Sequence, residues 1–148
     1  MTDLTNDRKL EHIRAIENDP LTDRSGHYFD QIKLMHRAFP EMALQDVDSS
    51  CQFLGKTLSF PMLISSMTGG DHQVVKQVNQ NLATAAQACG VAMAVGSQRV
   101  MFTAPSARES FQLRHLAPDI PLIGNIGAVQ LNCGMSHAQI QEAIDCLE

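Results

Sequence analysis

From Pro61 onward the chain alternates short, wholly apolar runs with glycine-bearing polar segments and with stretches whose apolar residues recur at helical spacing. The runs are Met62-Leu63-Ile64, Val91–Val95 and Pro121-Leu122-Ile123. Each ends in a loop of small polar residues: Ser65–Gly70, Gly96–Arg99 and Gly124–Gly127. A run that is apolar at every position suits a strand covered on both faces, as in a parallel sheet. The spacing predicts a helix over His72–Cys89, with Val74, Val75, Val78, Leu82, Ala85, Ala86 and Cys89 on one face. Gly90 stands where a C′ glycine ends such a helix. A second helix is expected near Ser106–Leu116. A third begins after Ser136, where Gln139 completes a capping box and Ile140, Ala143, Ile144 and Leu147 form the apolar face. Strand, polar loop and helix thus recur three times, which predicts an α/β fold, either a barrel or a doubly wound sheet.

The first 60 residues have a different rhythm. A helix is expected over Asp7–Ile16, capped by Asn6 or Asp7 and broken at Asp19-Pro20. Leu21–Pro40 is mixed and yields no element. Val47–Phe53 and Thr57–Phe60 flank Leu54-Gly55-Lys56, which predicts a hairpin with Gly55 at its turn. The chain therefore divides into an N-terminal helix and hairpin extension, residues 1–60, and a β/α part, residues 61–148.

Composition narrows the field of functions. With 44% hydrophobic and 18% charged residues, the sequence belongs with folded globular chains rather than disordered ones. A net charge of −5 and the lack of a basic stripe argue against a nucleic-acid partner. No apolar run approaches the ~20 residues that span a bilayer, and the N-terminus is too polar for a secretory signal. Cys51, Cys89, Cys133 and Cys146 form no CxxC pair, so free thiols in a reducing cytoplasm are expected. A β/α barrel needs eight units and typically ~250 residues. Three units are in hand, so the chain is expected to be part of a longer protein.

In parallel α/β folds, ligands sit at the carboxyl ends of the strands. All three glycine-bearing loops fall there. In Ser65–Gly70, hydroxyls and backbone N–H groups gather just before a helix start, which suits a polar cofactor edge or an anion. A plain βα turn uses the same residue types, and it is the recurrence of three such loops that favours a ligand. Arg99 adds a fixed cation that can grip phosphate oxygens, although a solvated ion pair is the ordinary use of an exposed arginine. Asn125 offers a donor and an acceptor for a heterocycle edge, or for a turn. Met67 could pack on a flat ring. Near the N-terminus, Arg8 and His12 lie one helical turn apart beside Lys9. They form either a solvated face or cations for an acidic substrate. The remaining histidines share no ligand spacing, and no G-x-S-x-G elbow, P-loop or HExxH motif is present.

Taken in order, Arg8-Lys9-x-Glu11-His12-Ile13, Phe39-Pro40-Glu41, Phe53-Leu54-Gly55, Pro61–Gly70, Val95–Arg99 and Gly124–Gly127 closely resemble type 2 isopentenyl diphosphate isomerase. The SSMTGG and VGSQR segments are the most specific, and the likeness runs from about Arg8 to the last helix. The resemblance implies a TIM (β/α)8 barrel, of which about the first three β/α units are present. It implies reduced FMN as cofactor, commonly reduced by NADPH, and a divalent cation, usually Mg2+. The substrate would be a small-molecule diphosphate, isopentenyl diphosphate, converted to its dimethylallyl isomer without net redox change. It also implies a cytoplasmic homo-oligomer.

By position, Ser66, Met67 and Thr68 resemble the family's flavin-contacting residues. Ser97 would lie between flavin and substrate, and Asn125 at the isoalloxazine edge. Arg8, Lys9, Ser97, Gln98 and Arg99 resemble the diphosphate-binding group, with His12 beside them. The family's HLNxxQE motif carries a glutamine near the reacting carbons and a glutamate for the metal. It does not occur in these 148 residues, so the catalytic residue is expected beyond residue 148. No metal ligand is assigned here, and the chain alone is expected to be inactive and to bind FMN weakly or not at all. The competing readings are another FMN-dependent barrel oxidoreductase, such as a hydroxy-acid oxidase, and a non-catalytic truncated module.

Overall fold

The three apolar runs all become strands, shorter than the runs themselves. In the computed structural model, which describes residues 4–19 and 28–148, with only the backbone described for Leu4–Lys9 and Tyr28, they are β3 (Leu63–Ile64), β4 (Ala92–Ala94) and β5 (Leu122–Ile123). They form one parallel sheet in the order β3-β4-β5. The register pairs Ile64 with Met93 and Met93 with Leu122. Every residue of β4, the central strand, is buried. A parallel sheet leaves the carboxyl ends of all its strands on one side. The loops that follow Ile64, Ala94 and Ile123 therefore share that side.

Helix α2 (Gln73–Cys89) runs over the expected range. His72 is its N-cap, with Nδ1 accepting the Val74 N–H at 3.2 Å. Gly90 ends it with φ 64° and ψ 40°, a left-handed conformation that costs glycine nothing and other residues about 1–2 kcal/mol. The buried face differs from the expected one. Val75, Asn79, Ala83 and Ala86 point inward. Val78 and Leu82 are half-buried, and Val74, Ala85 and Cys89 are exposed. The face is rotated so that Asn79 lies on the buried side.

The helix expected near Ser106–Leu116 does not form. A short helix α3 (Val100–Thr103) is followed by a 3-10 stretch, Pro105–Ser110, and then by turns. Two causes are visible. Pro105 has no N–H to continue α3. Phe111 and Leu113 are both fully buried while Gln112 between them is exposed, an alternation that one helical face cannot produce. Arg114 then holds the turn by donating to Ala117 O at 2.8 Å and Ile120 O at 2.9 Å. After β5 come α4 (Val129–Asn132) and α5 (His137–Asp145). The predicted capping box of α5 is present: Ser136 Oγ accepts the Gln139 N–H at 3.2 Å and Gln139 Oε1 accepts the Ser136 N–H at 2.9 Å. Ala143 and Leu147 are buried as expected, but Ile144 is exposed.

One hydrophobic core joins these elements. It is built around Met93, Val95, Phe111, Leu113, Ala83 and Ala143. None of the described residues of the N-terminal extension belongs to it. Helix α1 spans Leu4–Asn18, so it starts earlier than expected and takes Asn6 and Asp7 into its body rather than at its cap. The hairpin is β1 (Cys51–Phe53) with β2 (Lys56–Leu58), antiparallel. Leu54 and Gly55 turn it with φ 48° and 75°. Its first strand is shorter than expected, because Val47–Ser50 stays irregular and Asp48 Oδ1 accepts the Ser50 N–H at 2.8 Å. All four cysteines are free thiols. Among the described residues no helix is long and apolar enough to cross a membrane.

Candidate functional site

The three strand-end loops are joined to one another by backbone hydrogen bonds. The Gly96 N–H donates to Thr68 O, which ties the second loop to the first. The Gln98 N–H donates to Asn125 O at 2.8 Å, which ties the second loop to the third. Ser66 Oγ donates to Val95 O at 2.6 Å, a further bond between first and second. Gly96 is required for this junction. A Cβ on it would lie 2.5 Å from the Thr68 carbonyl and 2.7 Å from Met67 O, closer than a carbon can approach backbone.

Around this junction the side chains sort into two groups. Ser66, Met67, Ser97 and Arg99 are exposed. Asn125 is half-buried, and its side-chain amide has no partner among the described residues. Thr68, by contrast, turns its hydroxyl inward onto Asn79 Oδ1. Gln98 is only 1% exposed. Its Nε2 donates to Ala143 O of α5 at 2.6 Å. The resemblance puts Gln98 among the diphosphate contacts; in this structure its amide ties the second loop to α5. A buried amide must find partners, and α5 offers one at that point.

The Arg99 guanidinium has no hydrogen bond or ion pair among the described residues. It borders a cavity of about 320 Å3 together with Phe102, Gln130, Met135 and Gln139. A second cavity, about 370 Å3 and lined mainly by apolar groups, lies between α1 and the first loop. Ile13 and Ile16 of α1 face Ile64, Met67, Val78 and Leu82 across it. The helix that carries the Arg8–His12 motif is therefore beside the first loop. His12 itself is exposed. The side chains of Arg8 and Lys9 lie outside the described residues.

Two residues of the site are not singled out by the sequence. Asn79 is fully buried, and Nδ2 donates to Ser110 O at 2.9 Å and to Thr68 O at 3.4 Å. Ser110 is buried too, donating to Ala107 O at 2.8 Å and accepting the Gly70 N–H at 3.4 Å. The one signal for Asn79 is a polar residue interrupting the apolar spacing of α2. Among the described residues no group of three His, Cys, Asp or Glu side chains is placed to hold a metal. Cys146 is the perturbed thiol: burial pushes its pKa up, against a smaller lowering by Arg108. It is the C-cap residue of α5, and its Sγ donates to Arg108 O at 3.6 Å.

The arrangement offers exposed small polar groups, an uncommitted cation and close-approach backbone on one side of a parallel sheet. A family model described as FMN-dependent dehydrogenase matches residues 5–113. This chain belongs to the FMN-dependent dehydrogenase family. Among its relatives, the isopentenyl-diphosphate delta-isomerase of Paracoccus zeaxanthinifaciens is 54% identical over 141 residues, covering 95% of this chain and 40% of that protein. The protein of the same name from Hydrogenovibrio crunogenus is 50% identical over 141 residues, 95% of this chain and 41% of its own length. That of Rickettsia prowazekii is 44% identical over 144 residues, 96% of this chain and 41% of its own. The chain thus spans about two-fifths of the length of these curated relatives. The match to the isomerase seen in the motifs therefore extends through almost the whole chain, and the exposed loops fit the FMN that the family name specifies.

Proposed function

We propose that this chain supplies the flavin-facing and diphosphate-facing loops of an isomerase that interconverts isopentenyl diphosphate and dimethylallyl diphosphate. One observation carries the reading. Three strand-end loops are bonded into a single rim beside an uncommitted arginine, in a chain 54% identical to a relative named for that activity. In this reading the complete fold is a TIM barrel, residues 61–148 supply its first β/α units, and residues 1–60 are an extension.

Ser66, Met67 and Asn125 meet the isoalloxazine ring. Thr68 contributes through its backbone, since its hydroxyl is spent on Asn79. Arg99 and Ser97 bind the diphosphate, and Arg8, Lys9 and His12 close on it from α1. Each hydrogen bond between a charged group and the diphosphate contributes about 1.5–3 kcal/mol. Gln98 serves the site from inside, by orienting the loop that carries Ser97 and Arg99. Reduced FMN, when bound, supplies the acid–base chemistry that moves the double bond. NADPH is the reductant and Mg2+ accompanies the diphosphate. The protein is a cytoplasmic homo-oligomer, with neither nucleic acid nor membrane as partner.

The test is direct. The complete, FMN-loaded protein of which this sequence is a part is incubated with NADPH, Mg2+ and isopentenyl diphosphate, and proton NMR should show the dimethylallyl isomer. Absence of that isomer would overturn the assignment. The family match by itself also fits a flavin oxidoreductase acting on a hydroxy acid. Bleaching of oxidised flavin by 2-hydroxy acids, without isomerisation, would select that reading. The 148-residue chain by itself should be inactive and bind FMN weakly, and a tight fluorescence titration with FMN would refute this.

A further inference from the structure

We infer that Asn79 is a positioning residue for the flavin-facing loop Ser65–Gly70, an inference that rests on the proposed FMN role of that loop. A fully buried asparagine in mid-helix is costly unless its amide is paired. Its neighbours on the same face are Val75, Ala83 and Ala86, so an apolar residue would satisfy the packing. What the amide adds is a set of bonds to one place. Oδ1 accepts the Thr68 hydroxyl, and Nδ2 donates to Thr68 O and to Ser110 O. Thr68 O also accepts the Gly96 N–H. Thr68 is therefore held through both its hydroxyl and its carbonyl. Two residues on, the Gly70 N–H is held by Ser110 Oγ, and Ser110 belongs to the same network. With Thr68 and Gly70 fixed from beneath, Ser66 and Met67 remain exposed on the rim. Asn79 touches no ligand in this arrangement. It sets which groups of the loop do.

The experiment compares the full chain with its Asn79→Leu variant, which keeps about the same volume and removes the amide. Hydrogen exchange should quicken about tenfold at the Gly96 and Gly70 amides, the loss expected when ~1.4 kcal/mol of local hydrogen bonding is removed. Exchange at the Val95 amide, which donates to Ile123 O within the sheet, should not change. In the complete protein that carries this sequence, FMN affinity should fall by a similar factor. Unchanged exchange at both glycines, or an equal acceleration at Val95, would overturn the inference, because the second pattern is that of a merely structural residue. Should Asn79→Leu fail to fold, Thr68→Val removes only the hydroxyl bond and should give the same pattern at Gly96, about threefold. An unchanged Gly96 amide in that variant would overturn the inference equally. If the complete protein that carries this sequence binds no FMN, the functional reading fails, while the exchange comparison still decides the role of Asn79.

Discussion

The β/α part and the stretch ahead of the hairpin use the same kinds of residue to opposite ends. In the first, Met93, Val95, Phe111 and Leu113 are 0% exposed. In the second, Phe29, Leu34, Met35, Phe39 and Leu44 are 80–95% exposed. Hydrophobicity alone does not distinguish the two sets. What differs is local cover. Each strand of the sheet is followed by a segment that folds back over it, so its apolar residues find partners close in sequence. Residues 29–50 carry short 3-10 turns and irregular backbone, which present no face for a neighbour to cover. Burial here follows from the periodicity that makes elements, and only then from the count of apolar residues.

The contrast can be broken at several points. The largest effect is expected from one substitution made on both sides. Phe111→Ala should cost about 3–5 kcal/mol of stability through the cavity it leaves, whereas Phe39→Ala should change stability by less than about 0.5 kcal/mol. Urea unfolding of the two variants measures both, and equal losses would mean that Phe39 is covered. Next in size is Gly96→Ala. The added Cβ must push the Thr68 backbone aside, at about 1–3 kcal/mol, and the Ser97 and Arg99 rim should shift with it. A variant with unaltered thermal midpoint would show that the loop junction is looser than described. Smaller still is a gain at the hairpin between the two regions. Leu54 sits at φ 48°, a conformation asparagine tolerates better, so Leu54→Asn should add up to about 1 kcal/mol.

The smallest effect concerns a surface pair on the packed side. Lys76 Nζ lies 2.6 Å from Glu109 Oε2. Its hydrogen bond and charge hold the Glu109 carboxyl below the ordinary value of 4.5. A lowered folded-state pKa contributes stability above the unfolded value, and that contribution is lost as pH falls from about 4.5 through the lowered pKa. In Lys76→Met the carboxyl should titrate near its ordinary value by carbon-13 NMR, and the acid limb of stability should flatten slightly. An unmoved titration would mean that the pair is not formed in solution.

The parts of the fold legible in the sequence were those with local signals. The apolar runs, the His72–Cys89 spacing, Gly90 and the Ser136–Gln139 box each depend on a few neighbouring residues, and each forms. The segment over Ser106–Leu116 misled because its charged and apolar residues are compatible with a helix, while Pro105 and the inward pair Phe111 and Leu113 need an irregular path. Asn79 was hidden for a related reason: a binary reading sends every polar residue outward. Gln98 shows the limit for the site. An amide suits a phosphate oxygen or a carbonyl equally well, and only the position of α5 reveals that Ala143 takes it. That Ser66, Arg99 and Asn125 stand on loops following parallel strands was legible, because the apolar runs mark those strands.

The glycine at the loop junction sets the freedom available to redesign. Two backbones meet there without a side chain between them, so position 96 cannot be diversified while the loops stay joined. Positions 66, 67, 97 and 99 surround it with their side chains in the open. A library aimed at a new ligand would vary those four and leave the seam intact, altering what the rim recognises without renegotiating how it is held.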